Sequence, residues 1–221
     1  MVSIESPAAM EDMFRVNLLR GLNGIEESMS IRKLHVNYNF TCFRWMNLFE
    51  ITDIYKYLYQ WFEDITKTMV YNCGYVIMPN HLHLLTYTAN SQIAINNIIG
   101  NGKRFLACEI VDRLEKSGRH DLLKLMSDGV NLSEKKRNKE HEVFEDSFDC
   151  KELFTEKFIK QKLNYIHRNP ISGKWKLAED YLDYEYSSAR FYIHGEKAKC
   201  NLHHYANLIS AGSPRKIISL C

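Results

Sequence analysis

The stretch Tyr75-Val76-Ile77-Met78-Pro79-Asn80-His81-Leu82-His83-Leu84-Leu85 decides the reading of this chain. Apolar runs stand on both sides of Pro79-Asn80, a turn signal, so the segment reads as a tight β-hairpin. Side chains alternate along a strand, so His81 and His83 share one face while Leu82 and Leu84 share the other. The two imidazoles are then about 6–7 Å apart at their Cα atoms by strand rise. A buried face holds two such rings only if they are partnered, since each unpaired polar group costs a few kcal/mol. The pair is either hydrogen-bonded to core neighbours or offered to a divalent cation, and the apolar flanks favour the cation.

Working outward, Leu34 to Cys42 is rich in β-favouring residues and gives a first strand. From Ile51 to about Thr66, Ile54, Leu58, Trp61 and Ile65 fall at helical spacing. Met69–Met78 and His81–Thr88 form the hairpin. A helix capped by Ser91 runs to about Leu114, with Gly100 and Gly102 expected to bend its first half. Residues 117–150 lack apolar periodicity, and Glu134 to Glu140 is a charge run read as a solvated loop or mobile helix. A further helix spans Thr155 to Arg168 and stops before Asn169-Pro170. The order strand, helix, strand, strand, helix predicts an α+β fold: an antiparallel sheet with helices on one face, a split ferredoxin-like core with extra C-terminal helices. The expected domains are an N-terminal extension (1–30, with a short helix through Leu19), a main domain (31–200) and a C-terminal tail (201–221).

The 221 residues suffice for one sizeable core, and 45% hydrophobic with 25% charged content is ordinary for a globular protein. No apolar run approaches the ~18 residues of a bilayer crossing, and the first residues do not resemble a secretion signal. Six cysteines at 42, 73, 108, 150, 200 and 221 lack Cys-x-x-Cys spacing, which suits reduced thiols of a cytoplasmic protein. Residues 1–96 hold 7 basic and 9 acidic side chains, whereas 97–221 hold 22 and 18. The basic excess lies after the histidine pair, where a phosphate backbone would be gripped, although a solvated surface accounts for it nearly as well.

Met78-Pro79-Asn80-His81-Leu82-His83-Leu84-Leu85 resembles the His-hydrophobic-His (HUH) motif of single-tyrosine transposases, in particular the REP-associated branch. Tyr165-Ile166-His167-Arg168-Asn169-Pro170 followed by Tyr186-Ser187-Ser188-Ala189 is similar to that branch's second signature. The two blocks occur in the expected order about eighty residues apart, and the likeness covers roughly 33–194. It implies a palm-like sheet, a homodimer, single-stranded or hairpin DNA as partner, and Mg²⁺ or Mn²⁺ as cofactor. It also implies endonuclease and strand-transfer chemistry, in which a tyrosine attacks a phosphodiester and stores the bond as a 5′-phosphotyrosine. An ion held by both histidines would neutralise charge on the phosphoryl oxygens.

On the helix after the hairpin the resemblance places a third ligand at Glu109 and the tyrosine at Phe105, which has no hydroxyl. Tyr165, inside the second block, is the substitute nucleophile, unless its ring is merely structural beside Phe158 and Ile166. Glu109 itself reads equally as an exposed helix carboxylate. Lys103 and Arg104 are candidate phosphate clamps. Lys157, Lys160, Gln161, Asn164 and Arg168 recur along one side of the later helix, gripping DNA or facing water. His167 and Asn169 either cap that helix or touch bases.

Three functions compete on these residues. The first is a transposase-like DNA endonuclease and strand transferase. The alternative, which Phe105 favours, is a catalytically inactive hairpin-binding protein derived from one. A zinc hydrolase using His-x-His is the third, and it leaves the second block unexplained.

Overall fold

The computed structural model describes residues 34–88, 93–145, 149–153 and 155–211. The whole 1–30 extension with its short helix through Leu19, the Ser91 cap and residues 212–221 of the tail lie outside the described residues. In chain order the elements are β1 (Leu34–Thr41), a 3-10 turn (Phe43–Trp45), α1 (Leu48–Ile51), α2 (Tyr55–Thr66), β2 (Val70–Met78) and β3 (His81–Thr88). There follow α3 (Ile95–Lys116), α4 (His120–Gly129), α5 (Leu132–Lys135), β4 (Asp149–Leu153), α6 (Glu156–Arg168), a 3-10 turn (Asn169–Ile171), α7 (Ala189–His194) and α8 (Tyr205–Ala211).

The four strands lie in the order β2-β3-β1-β4, and every neighbouring pair is antiparallel. With α2 joining β1 to β2 and α3 lying between β3 and β4, this is the split ferredoxin-like arrangement expected from the hydrophobic pattern. Both crossovers put their helices on the same face, as right-handed connections across one sheet must. Phe40, Tyr75, Ile77, Leu82 and Leu84 from the strands bury against Leu58, Trp61 and Phe62 of α2 and Ile99, Leu106 and Ile110 of α3.

The extra C-terminal elements cover the opposite face. Val76, Met78, Leu85 and Tyr87 pack there against Ile159, Leu163 and Ile166 of α6 and Tyr205 of α8. The sheet is therefore sandwiched, with its core helices on one side and the late helices on the other. The tail residues Leu202 and Tyr205 belong to these packed clusters.

Several local expectations change. The first half of α3 is continuous through Gly100 and Gly102. Gly102 is there for contact, because a Cβ would lie 2.1 Å from Trp61 Nε1. α4 supplies order to a stretch without evident periodicity, burying Leu123 and Met126. The charge run forms α5 and its exit turn, tied by Lys139 to Glu134 (2.9 Å) and Glu142 (2.6 Å). β4 is an edge strand of polar sequence, Asp-Cys-Lys-Glu-Leu, which no β-propensity signal marks.

Candidate functional site

β3 carries His81 and His83 on the α6 side of the sheet, with their rings 5.1 Å apart and nearly perpendicular. The cross-strand register sets Thr41 opposite His81 and Asn39 opposite His83 on β1, so these four side chains share a face. Both rings are buried. Burial pulls the His81 pKa down from its ordinary value to about 4, with Lys174 adding to the shift and Asn169 opposing it. Burial, then His81 and Lys162, pulls His83 down to about 3. Both imidazoles are neutral at pH 7, the form that binds metal.

The Asn80 amide fixes the tautomer of His81. Its Nδ2 donates to the Trp45 carbonyl at 2.8 Å, so its Oδ1 faces the ring and accepts from His81 Nδ1–H at 2.7 Å. That puts the lone pair on His81 Nε2, and a side-chain hydrogen bond with Asn169 also acts on the ring. Three other polar atoms around the pair are buried without a hydrogen-bond partner among the described residues: His83 Nδ1, Asn39 Oδ1 and Asn169 Nδ2. Each orphan costs about 1–3 kcal/mol unless solvent or an ion satisfies it, and Trp61 Nε1 and Asn72 Oδ1 elsewhere are buried in the same way.

Helix α6 brings Tyr165 over this site, with its ring centroid 5.5 Å from that of His83. Thr155 caps the helix by accepting from Phe158 N–H (3.3 Å), as its position in the sequence suggested. The amphipathic face of Ile159, Leu163 and Ile166 is buried. Gly74 lets β2 approach, since a Cβ there would meet Leu163 Cδ2 at 2.4 Å. Tyr165 is 53% exposed, and so is Phe158, which does not share the buried face. The ammonium of Lys162 lies 4.5 Å from the Tyr165 ring centroid.

The two halves of the second sequence block meet at the sheet. Ser188 Oγ donates to the Tyr75 carbonyl (3.1 Å) and accepts from Tyr75 N–H (2.9 Å). With its hydroxyl proton so used, it accepts from His167 Nε2–H at 2.9 Å. His167 is thus a buried structural clamp, its pKa lowered to about 4 by burial, and it neither caps the helix by its side chain nor reaches a base.

The helix after the hairpin lies elsewhere. α3 packs on the far face of the sheet from the histidines. Glu109 is held there by Arg113 Nε at 2.7 Å, and Arg113 also donates to the carbonyls of Thr52 (3.0 Å) and Asp53 (2.7 Å). Phe105 sits on the same helix under the Arg104 guanidinium, so its lack of a hydroxyl has no bearing on the histidine face. Lys103 donates to the Glu145 carbonyl at 2.9 Å. The structure therefore brings His81, His83 and Tyr165 together and leaves Glu109, Lys103 and Arg104 behind the sheet. Lys157, Lys160, Asn164 and Arg168 are exposed along α6, with Lys160 paired to Glu156 (2.8 Å) and Arg168 over the Tyr181 ring.

Among the described residues no three His, Cys, Asp or Glu side chains converge. Asn169, read from sequence as a helix cap or a base contact, sits at the C-cap of α6 with its side chain against His81. It lies four positions after Tyr165, one helical turn on. An amide oxygen with two imidazole nitrogens is a donor set that Mn²⁺ or Mg²⁺ accepts when water or phosphate completes it.

Next to His81 the turn Phe43–Trp45 sets Arg44 (φ 51°) and Trp45 (φ 58°) in the left-handed region, at a cost of about 1 kcal/mol or more each. The hydrogen bonds that hold it are Phe43 N–H to Val143 O (2.8 Å), Arg44 N–H to Glu145 Oε1 (2.6 Å) and Asn80 Nδ2 to Trp45 O.

A scan against protein-family models finds no match to this chain. A search of curated proteins likewise finds none. Among solved structures, one described as the REP-associated tyrosine transposase bound to a REP hairpin is similar, at 14% identity and a TM-score of 0.47, over 76% of this chain and 84% of that one. At that level it bears on neither the roles of the residues nor the activity.

Proposed function

We propose that this protein is a transposase-like DNA endonuclease and strand transferase that acts on single-stranded or hairpin DNA, with Tyr165 as nucleophile. The observation that carries the proposal is the Tyr165 ring standing over His83, beside two neutral same-face histidines. His81 Nε2, His83 and the Asn169 amide would hold a divalent cation. When bound, the ion supplies Lewis-acid polarisation of a phosphoryl oxygen and orients the leaving group.

The chain's own residues do the rest. Tyr165 Oη forms a bond to phosphorus and the P–O3′ bond breaks. The phenolic proton goes to solvent, and the departing 3′-oxygen takes one up, leaving a 5′-phosphotyrosine and a free 3′-hydroxyl. Lys162 lies over the tyrosine ring, where its charge can meet the incoming phosphate. Lys157, Lys160, Asn164 and Arg168 form the outer stripe of the same helix, suited to the phosphates leading into the site. Since the bond energy is kept in the phosphotyrosine, a second strand's 3′-hydroxyl can reverse the step without an outside energy source.

Incubation with single-stranded hairpin oligonucleotides and Mn²⁺ tests this reading. A covalent protein–DNA adduct is expected from the unmodified chain and none from Tyr165→Phe. An adduct that survives Tyr165→Phe would assign the nucleophile elsewhere, and no adduct on a broad hairpin panel would remove the enzymatic reading. The alternative, an inactive hairpin-binding protein, predicts hairpin affinity with no adduct, and the same incubation separates the two. The resemblance also implies a homodimer, which light scattering of the purified protein checks.

A further inference from the structure

Trp45 is 55% exposed, unusual for the largest apolar side chain, and it stands beside the candidate centre. Its ring centroid is 6.0 Å from that of His81, edge to face. Trp175 lies 6.1 Å from the same imidazole. Lys174 joins them, its ammonium 5.9 Å from the Trp45 ring and 5.4 Å from that of Trp175. Two indoles and a cation therefore gather beside His81.

The placement of Trp45 is enforced. Two consecutive non-glycine residues in left-handed conformation are unfavourable in isolation, and hydrogen bonds from separate segments hold them. One comes from Asn80, which through its other amide atom orients His81. The backbone that displays the indole and the imidazole that faces the centre are thus registered by one side chain.

We propose that Trp45, with Trp175 and Lys174, forms a stacking site for an unpaired nucleobase of the DNA strand next to the scissile phosphate. An indole face with an adjacent ammonium suits a base and its phosphate, whichever base it is. Paired bases cannot enter such a slot, so the site selects single-stranded DNA at the reacting position. The inference rests on the histidine face being the DNA site proposed above.

The test uses the full chain in EDTA, so that binding is read without chemistry, with two probes: a twelve-residue oligodeoxythymidine and a twelve-residue abasic oligodeoxyribose phosphate. The unmodified chain should bind the thymidine oligomer more tightly, with quenching of its tryptophan emission. Trp45→Ala should weaken thymidine binding roughly ten-fold and leave abasic binding within about two-fold, while Trp45→Phe retains most of the preference. Equal affinity of the unmodified chain for both oligomers, or no quenching of its emission, overturns the proposal whether or not the variants fold. An equal loss on both oligomers in a folded Trp45→Ala does so too. If the preference depends on Trp45 yet no covalent adduct ever forms, base stacking stands and the endonuclease reading falls. If the adduct forms and Trp45→Ala discriminates as the unmodified chain does, only the stacking site falls.

Discussion

Strand β3 presents two chemistries from one backbone. Leu82 and Leu84 enter a dry face closed by α2 and α3, where aromatic and branched side chains fill the space. His81 and His83, one residue out of phase, enter a face where two neutral imidazoles meet a half-exposed tyrosine. Orphaned polar atoms occur on both faces, Trp61 Nε1 on the first and His83 Nδ1 on the second, so what sets the second apart is its opening to solvent beside Tyr165.

Removing the Tyr165 hydroxyl is the sharpest way to separate the faces. Tyr165→Phe should lower adduct formation on hairpin DNA by at least about a thousand-fold, while the thermal midpoint moves by no more than a degree or two because the residue is half exposed. A large drop in stability with activity partly kept would place Tyr165 with the core residues.

Acid should attack the histidine face first. Burial holds His81 and His167 at about 4 and His83 at about 3, below the ordinary value of about 6.5 expected on unfolding. Between those limits the unfolded chain binds more protons, so stability is full above pH 6.5 and is lost as pH falls toward 4. Each ring costs about 2 kcal/mol by pH 5. Denaturant titrations at pH 7 and pH 5 should show that loss, and His83→Gln should reduce it by about one ring's share. Mn²⁺ should raise the thermal midpoint by a similar amount at pH 7 and pH 5, since rings that titrate at about 4 and 3 keep their lone pairs at both, and the effect should fade only as pH falls below 4. A chain equally stable at both pH values would mean that these rings are not buried neutral.

On the dry face the comparable change is Leu82→Ala, which should cost about 2–5 kcal/mol through the cavity it leaves. Its loss should be the same at pH 7 and pH 5, and the surviving folded fraction should form adduct at an unchanged rate. A pH-dependent cost would show that the two faces are coupled through the strand.

These two faces were unequally visible in the sequence. The period-two hairpin and the period-3.6 helices announced the ferredoxin-like core, because each element buries a regular apolar set. The late strand Asp149–Leu153 carries no such set, and among the described residues it has a neighbour on one side only. His81 and His83 stood out as polar residues in an apolar run. The helix that serves them did not, because the next helix along the chain is not the next one in space. Right-handed crossovers commit both α2 and α3 to one face, whereas a helix after β4, outside both crossovers, is free to reach the other. That rule sends Phe105 and Glu109 away from the histidines and leaves Tyr165 and Asn169 to meet them. The spacing Tyr165-x-x-x-Asn169, one helical turn, was the signal that could have named the amide.

The smallest expected effect concerns the clamp that holds α6 to the sheet. Ser188 Oγ satisfies both the N–H and the carbonyl of Tyr75 and accepts from His167. Ser188→Ala removes all three contacts and orphans two buried groups, for a cost of about 1–3 kcal/mol. Tyr75 points its ring into the dry face while its backbone is gripped from the edge, so some of that cost falls on each side of the sheet. If α6 is positioned by this clamp, Ser188→Ala should also slow adduct formation by roughly ten-fold through a looser Tyr165, because misplacement of about 1 Å can cost a hundred-fold. Ser188→Thr, which keeps the hydroxyl, should restore rate and stability together. Rate unchanged at reduced stability would mean that Leu163 and Ile166 alone fix the helix, and that the meeting of the two sequence blocks serves the fold and not the site.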